Sequence, residues 1–146
     1  MIKIIVCFIF PSFLLHIRHA TITFFEGSTI ELDGSTEVSL SELSLEGTTS
    51  HIGIDQKIGK TVSRVKKLVD SASSYEVETA SAVAAVRGTV FYVSVNRSGV
   101  TTVGNMEGMV SVLAQGVEVA LAEGTRTTVS PGKPPGKPQP DVTSER

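Results

Sequence analysis

Glycines recur through the second half of the chain at positions 99, 108, 116, 124 and 132, separated by nine, eight, eight and eight residues. A helix of average length does not fit between such breaks, whereas strands with turn signals every eight to twelve residues build sandwiches, barrels and rolls. Met109–Leu113, Val117–Leu121 and Thr125–Ser130 read as strands between them. Val110, Val112, Val117, Val119, Leu121 and Val129 are their core candidates. Asn96 to Gly99 supplies residues that tolerate positive φ at the preceding turn. The spacing predicts an all-β domain, a mostly antiparallel β-sandwich or β-roll of short strands joined by tight glycine turns.

The most apolar run outside the N-terminus, Ala82–Val95, holds one charged residue, Arg87, and reads as the central strand. Thr89, Phe91, Val93 and Val95 fall at period two, as a pleated strand with one buried face requires. The same alternation run backwards buries Arg87, and an unpaired buried charge loses several kcal/mol or more. Gly88 offers the escape, because a glycine inside a strand pattern marks a bulge that switches the faces on either side. A break is therefore predicted at Gly88, with Arg87 at the sheet surface or bonded to carbonyls or a carboxylate. Arg87 is the polar residue singled out. Tying down the bulge is the favoured role, and binding a carboxylate of a ligand or partner is the functional one.

Upstream, Ile22–Asp55 alternates polar and apolar residues, with Glu26-Gly27 and Asp33-Gly34 as turn signals. Val38, Leu40, Leu43 and Leu45 are expected to face inward. Lys57–Val69 is ambiguous, since Ile58, Val62, Val65 and Val69 form a helical stripe while the β-branched residues and Gly59 favour a strand. Strand is the reading adopted. Five of the thirteen lysines and arginines fall between Lys57 and Lys67, which fits an edge strand kept soluble by charge better than an anion-binding patch.

Residues 1–20 contain an apolar run from Ile4 to Leu15, read either as a signal or anchor or as a non-native start; residues 2–17 are the segment that would attach the chain to a membrane. Residues 132–146 belong to a stretch that holds five of the six prolines, and they read as a disordered, extended tail. The body between, 22–131, is one domain.

The search for chemistry returns little. A formal net charge of -2 gives no general attraction to nucleic acid. The single cysteine, Cys7, cannot form an internal disulfide or a cysteine-rich metal site. Gly53–Thr61 ends like a phosphate-binding loop but has the wrong glycine spacing. His51 lacks partners at zinc spacing, and Glu76 with Glu78 reads as the wet face of a strand. No catalytic residue, metal or cofactor is expected.

The order EVET, AVAAVRGTVFYVSV, MEGMVSV, VEVALAEG and TVSPG from Tyr75 to Pro131, preceded by FFEGSTIEL and SRVKKL, resembles the FecR domain family. The resemblance covers roughly Ile22–Pro131, with Gly88, Thr89 and Gly108 as its structural motif. Ala80 departs from the family's usual proline after threonine, and the strands before the Asp33-Gly34-Ser35 turn have almost no room. The resemblance implies a periplasmic or otherwise extracytoplasmic, non-catalytic sensing module that contacts a protein or cell-envelope component. The alternative is a structural spacer, a fragment of a longer envelope protein. Family members include inner-membrane regulators of sigma factors, but no cytoplasmic segment precedes the apolar run here, so that control is not expected of this chain.

Overall fold

The computed structural model describes residues 2–6, 19–68 and 70–142, the first of these by backbone pairing alone. Among the described residues the strands are, in order, β1 (Ile2–Val6), β2 (His19–Thr23), β3 (Thr29–Asp33), β4 (Thr36–Glu46), β5 (Thr49–Arg64) and β6 (Ser74–Glu78). There follow β7 (Val83–Val86), β8 (Val90–Val95), β9 (Thr101–Glu107), β10 (Val110–Ala114), β11 (Val117–Leu121), β12 (Thr125–Val129) and β13 (Gln139–Pro140). No α-helix occurs among them, and 57–64 is strand.

The strands form one continuous mixed sheet curled into a half-barrel, and β5 is the strand that makes it continuous. Its first half pairs with β4 and, in parallel, with β6. Its second half pairs with β3 and β8. One wall therefore runs β1-β4-β5-β6-β7-β10-β11, and the facing wall β2-β3-β5-β8-β9-β12-β13. The expected central strand is corrected accordingly. Ala82–Val95 splits into β7 and β8 on opposite walls, and the centre belongs to β5.

The bend that lets β5 serve both walls lies at Gly59, whose φ is 101°. An added Cβ there would lie 2.3 Å from Oγ1 and 2.5 Å from Cα of Thr36, so only glycine fits. Such a bend takes backbone groups out of the ladder, and Gln56, 1% exposed, replaces their partners. Its Nε2 donates to the carbonyls of Gly59 (2.9 Å) and Val93 (3.0 Å), and its Oε1 accepts from the Thr61 hydroxyl (2.7 Å). The Lys60 amide donates to Thr36 Oγ1 at 3.1 Å.

The core fills the half-barrel. Phe24, Tyr75 and Phe91 meet edge to face, with centroids 6.1 and 6.2 Å apart, and so join the two walls. Leu32, Val77, Val93, Val110, Val112, Leu121 and Val129 are buried around them. The buried Tyr75 hydroxyl donates to Ser63 Oγ (3.0 Å), and burial raises its pKa above the usual tyrosine value.

Four further expectations are corrected. Val117 starts an edge strand and is exposed. Leu43 and Leu45 lie beyond the packed core and are likewise exposed. The basic run 57–67 lies on and just after the central strand β5, not on an edge, and its lysines and Arg64 point into solvent. The tail is docked as far as 142. Proline lacks the donor an interior strand needs, but β13 occupies an outer position beside β12, where that costs nothing. The Gly136 amide donates to the Thr128 carbonyl and the Asp141 amide to that of Gly124. Buried Asp141 accepts from the Tyr92 hydroxyl at 2.6 Å, with Arg126 Nη1 3.9 Å from its other oxygen. The Tyr92 ring crosses Gly104 and carries the Lys60 ammonium 5.0 Å above it. At the other end, the start of the proposed anchor is strand β1, paired with β4 from Ile2↔Leu40 to Val6↔Thr36; residues 7–18 lie outside the described residues.

Gln56→Leu strands two buried carbonyls and a hydroxyl, and should lower unfolding free energy by about 2–4 kcal/mol in urea denaturation. Gly59→Ala should lose a similar amount, about 2–4 kcal/mol, through strain and overlap with Thr36. Asp141→Ala should lower hydrogen-exchange protection at the Gly136 and Asp141 amides while leaving that of β5 unchanged.

Candidate functional site

The residues singled out in the sequence, Arg87, Gly88, Thr89 and Gly108, meet at one corner of the half-barrel. Here the chain passes from β7 on one wall to β8 on the other, and from β9 back to β10. The buried set switches from even positions, Ala84 and Val86, to odd ones, Thr89, Phe91 and Val93. Gly88 (φ 140°) performs the switch against the backbone of Lys67, whose Cα would lie 2.8 Å from an added Cβ. Gly108 (φ 90°) packs as tightly, with the Gly88 carbonyl 2.8 Å from where its Cβ would be.

The segment 65–68, which follows β5, is stitched to this corner. Val65 and Thr89 exchange amide-to-carbonyl bonds of 2.8 and 3.1 Å, and the Leu68 amide donates to the Arg87 carbonyl at 2.9 Å. The buried Thr89 hydroxyl donates to the Met109 carbonyl (3.0 Å). Asn105 Nδ2 donates to the carbonyls of Gly108 (2.7 Å) and Leu121 (2.8 Å), which fixes the second crossing.

The Arg87 side chain is exposed, and its Nη2 donates to the Asp70 carbonyl at 2.8 Å. Asp70 organises a turn of its own. Its carboxylate accepts from the hydroxyls of Thr49 and Thr48 (3.2 Å for Thr48) and from the Ala72 amide (2.9 Å). These bonds, led by that from Thr49, together with the nearby Arg87 charge, hold its pKa below the ordinary value of 3.8. Arg87 thus ties the end of β7 to the tip of the β4–β5 hairpin through one exposed turn.

Lys67, Arg87, Val65, Val90, Glu107 and Met109 line an open groove of about 390 Å³ over the corner. Two cations and one carboxylate on a partly apolar floor suit a polypeptide or another polar surface better than an enclosed small molecule. No cluster of three or more histidine, cysteine or acidic residues among the described residues could hold a metal ion.

Sequence reasoning found the corner but not what anchors it. Asp70 and Asn105 carried no motif, and their roles depend on which carbonyls the corner presents. It also gave His51 no partner, whereas Nδ1 of His51 lies 2.9 Å from Ser74 Oγ. These are register neighbours across the parallel β5–β6 pair, so only the strand register, which no local signal encodes, could have revealed the contact. A serine nucleophile also needs an acid to orient its histidine and donors for an oxyanion, and no hydrogen bond from a carboxylate to His51 is found among the described residues.

Because Asp70 has a lower pKa folded than unfolded, it supports the fold fully above about pH 4 and loses that support as pH falls through the folded value. Asp70→Asn should therefore flatten the acid limb of a Tm-against-pH profile and leave the neutral limb parallel to that of the parent.

A family model described as FecR protein matches residues 18–111. No curated protein matches the sequence. Two crystal structures of a candidate anti-sigma factor from Parabacteroides distasonis ATCC 8503, at 1.65 and 2.50 Å, are similar to this fold. Their TM-scores are 0.74 and 0.73 at 17% and 18% identity, over 97% and 96% of this chain. The chain spans 60% of the length of each, and at such identity the likeness is one of fold. The corner residues Arg87, Gly88, Thr89 and Gly108 all fall within the matched segment, and by that match the chain belongs to the FecR family.

Proposed function

We propose that the protein is a non-catalytic sensing module that works outside the cytoplasm and contacts a protein or another cell-envelope component. Membership of the FecR family over residues 18–111 is the observation that carries this reading. The fold shared with a candidate anti-sigma factor is in keeping with it, and places the module among proteins that act by contact. In this reading Arg87 has two tasks. One guanidinium N–H holds the Asp70 turn, and the rest of the exposed, planar fork is offered to a partner's carboxylate or carbonyls across the groove shared with Lys67. Attachment to a membrane through residues 2–17 would require β1 to leave β4, so the paired and attached states exclude one another.

The test is capture of a partner from envelope and cytoplasmic fractions by the tagged chain, followed by titration of the purified pair. Envelope material should be retained, Arg87→Ala should weaken it about tenfold or more, and Arg87→Lys should recover only part of the loss. Retention of nothing, or of cytoplasmic material alone, would sink the reading. Equal binding by both variants would remove Arg87 from the contact.

A further inference from the structure

We propose that the outer edge of β4, from Ser41 to Glu46, is a docking edge for an extended segment of another protein whose residues alternate between basic and aliphatic. The proposal rests on the sensing reading for its biological purpose, but its evidence is separate from the Arg87 corner.

β4 has eleven residues, and β1 covers its outer side only from Thr36 to Leu40. From Ser41 onward the inner side stays paired to β5, through Glu46↔Thr49 at the hairpin end, while no strand among the described residues pairs with the outer side. A row of backbone donors and acceptors held in strand geometry by one neighbour is a template for a second.

The side chains on this edge are sorted by face. The register shift between Leu40 and Glu42 sets Leu43 opposite Ile52 and Leu45 opposite Ser50, both buried, so the two leucines continue the inward surface of the half-barrel. They nevertheless remain 44% and 52% exposed. Leu45 also lines a groove of about 380 Å³ with Phe25 and Leu68, and Phe25 is itself half exposed on the β2–β3 turn. A strand laid along Ser41–Glu46 would send every second side chain onto this apolar surface.

The opposite face is acidic. Glu42 and Glu46 stand opposite Gly53 and Thr49, and neither makes an ion pair among the described residues. Lysine or arginine at the alternate positions of an added strand would face them directly, and opposite charges across a strand pair stabilise it. A second copy of this chain fits less well. In the fully overlapped antiparallel register it would set Glu42 against Glu46 twice. The competing explanation is that the glutamates only keep the edge from pairing.

The measurement is a fluorescence-anisotropy titration of the full chain with end-blocked, labelled Lys-Val-Lys-Val-Lys-Val, with Glu-Val-Glu-Val-Glu-Val, and with Lys-Val-Lys-Pro-Lys-Val. The lysine peptide should bind, the glutamate peptide should not, and proline should abolish binding by removing a ladder donor. Glu42→Lys/Glu46→Lys should weaken the lysine peptide roughly three- to thirtyfold and favour the glutamate one. Leu43→Ser/Leu45→Ser should weaken the lysine peptide comparably; these residues are exposed, so an unchanged Tm confirms that the fold is kept. No binding, indifference to proline, or indifference to both double variants would overturn the proposal. So would self-association of the parent in sedimentation velocity that either double variant removes. If a captured envelope partner binds Leu43→Ser/Leu45→Ser as tightly as the parent, the edge assignment fails and the sensing reading stands. If the peptide behaves as expected but no envelope partner is captured, the reverse holds.

Discussion

The contact on which the architecture turns is the one Gln56 makes with the bend at Gly59. A sixteen-residue strand can belong to two walls only if it changes direction inside its own ladder, and a change of direction leaves carbonyls without donors in the interior. One amide side chain supplies two donors and one acceptor where the backbone no longer does. Thr36 closes the other side of the bend, near enough to exclude any side chain at position 59. With this knot intact, β3, β4, β6 and β8 can all register against one strand, and the aromatic trio can span the walls.

Much of this was legible in the chain. The glycine spacing, the period-two run 89–95 and the need for a break at Gly88 are local signals, and each corresponds to what is seen. What glycine spacing cannot tell is which kind of turn each glycine makes. Gly99 and Gly116 close hairpins within one wall, while Gly88, Gly108 and Gly124 stand where the chain changes walls. The two kinds look alike in sequence because the difference lies in which distant strand accepts the next hydrogen bond. The same blindness to partners misplaced the basic run on an edge and left the proline-rich tail free. The acceptor that ties the tail down, Asp141, is bonded by Tyr92 from 49 residues away.

The candidate site follows the same division. The Arg-Gly-Thr stretch announced itself as a place where a charge could not be buried and a strand could not continue. Its surroundings, Asp70 beneath the arginine, Lys67 across from Gly88 and Asn105 behind Gly108, come from three separate parts of the chain. The result is a rigid corner with exposed cations. A corner pinned through backbone carbonyls presents its charges at little conformational cost, which favours recognition over chemistry.

The order of the crossings has one more consequence. After β5, each hairpin is built on the wall opposite the one before it: β6–β7, then β8–β9, then β10–β11, then β12–β13. No contiguous piece of sequence therefore contains a complete wall, and neither wall can assemble while the other is still open chain. Partial opening has no natural boundary along which to stop. Heat or denaturant should find a molecule that melts in a single step, and a cut between any two successive hairpins would separate strands that each wall needs from both fragments.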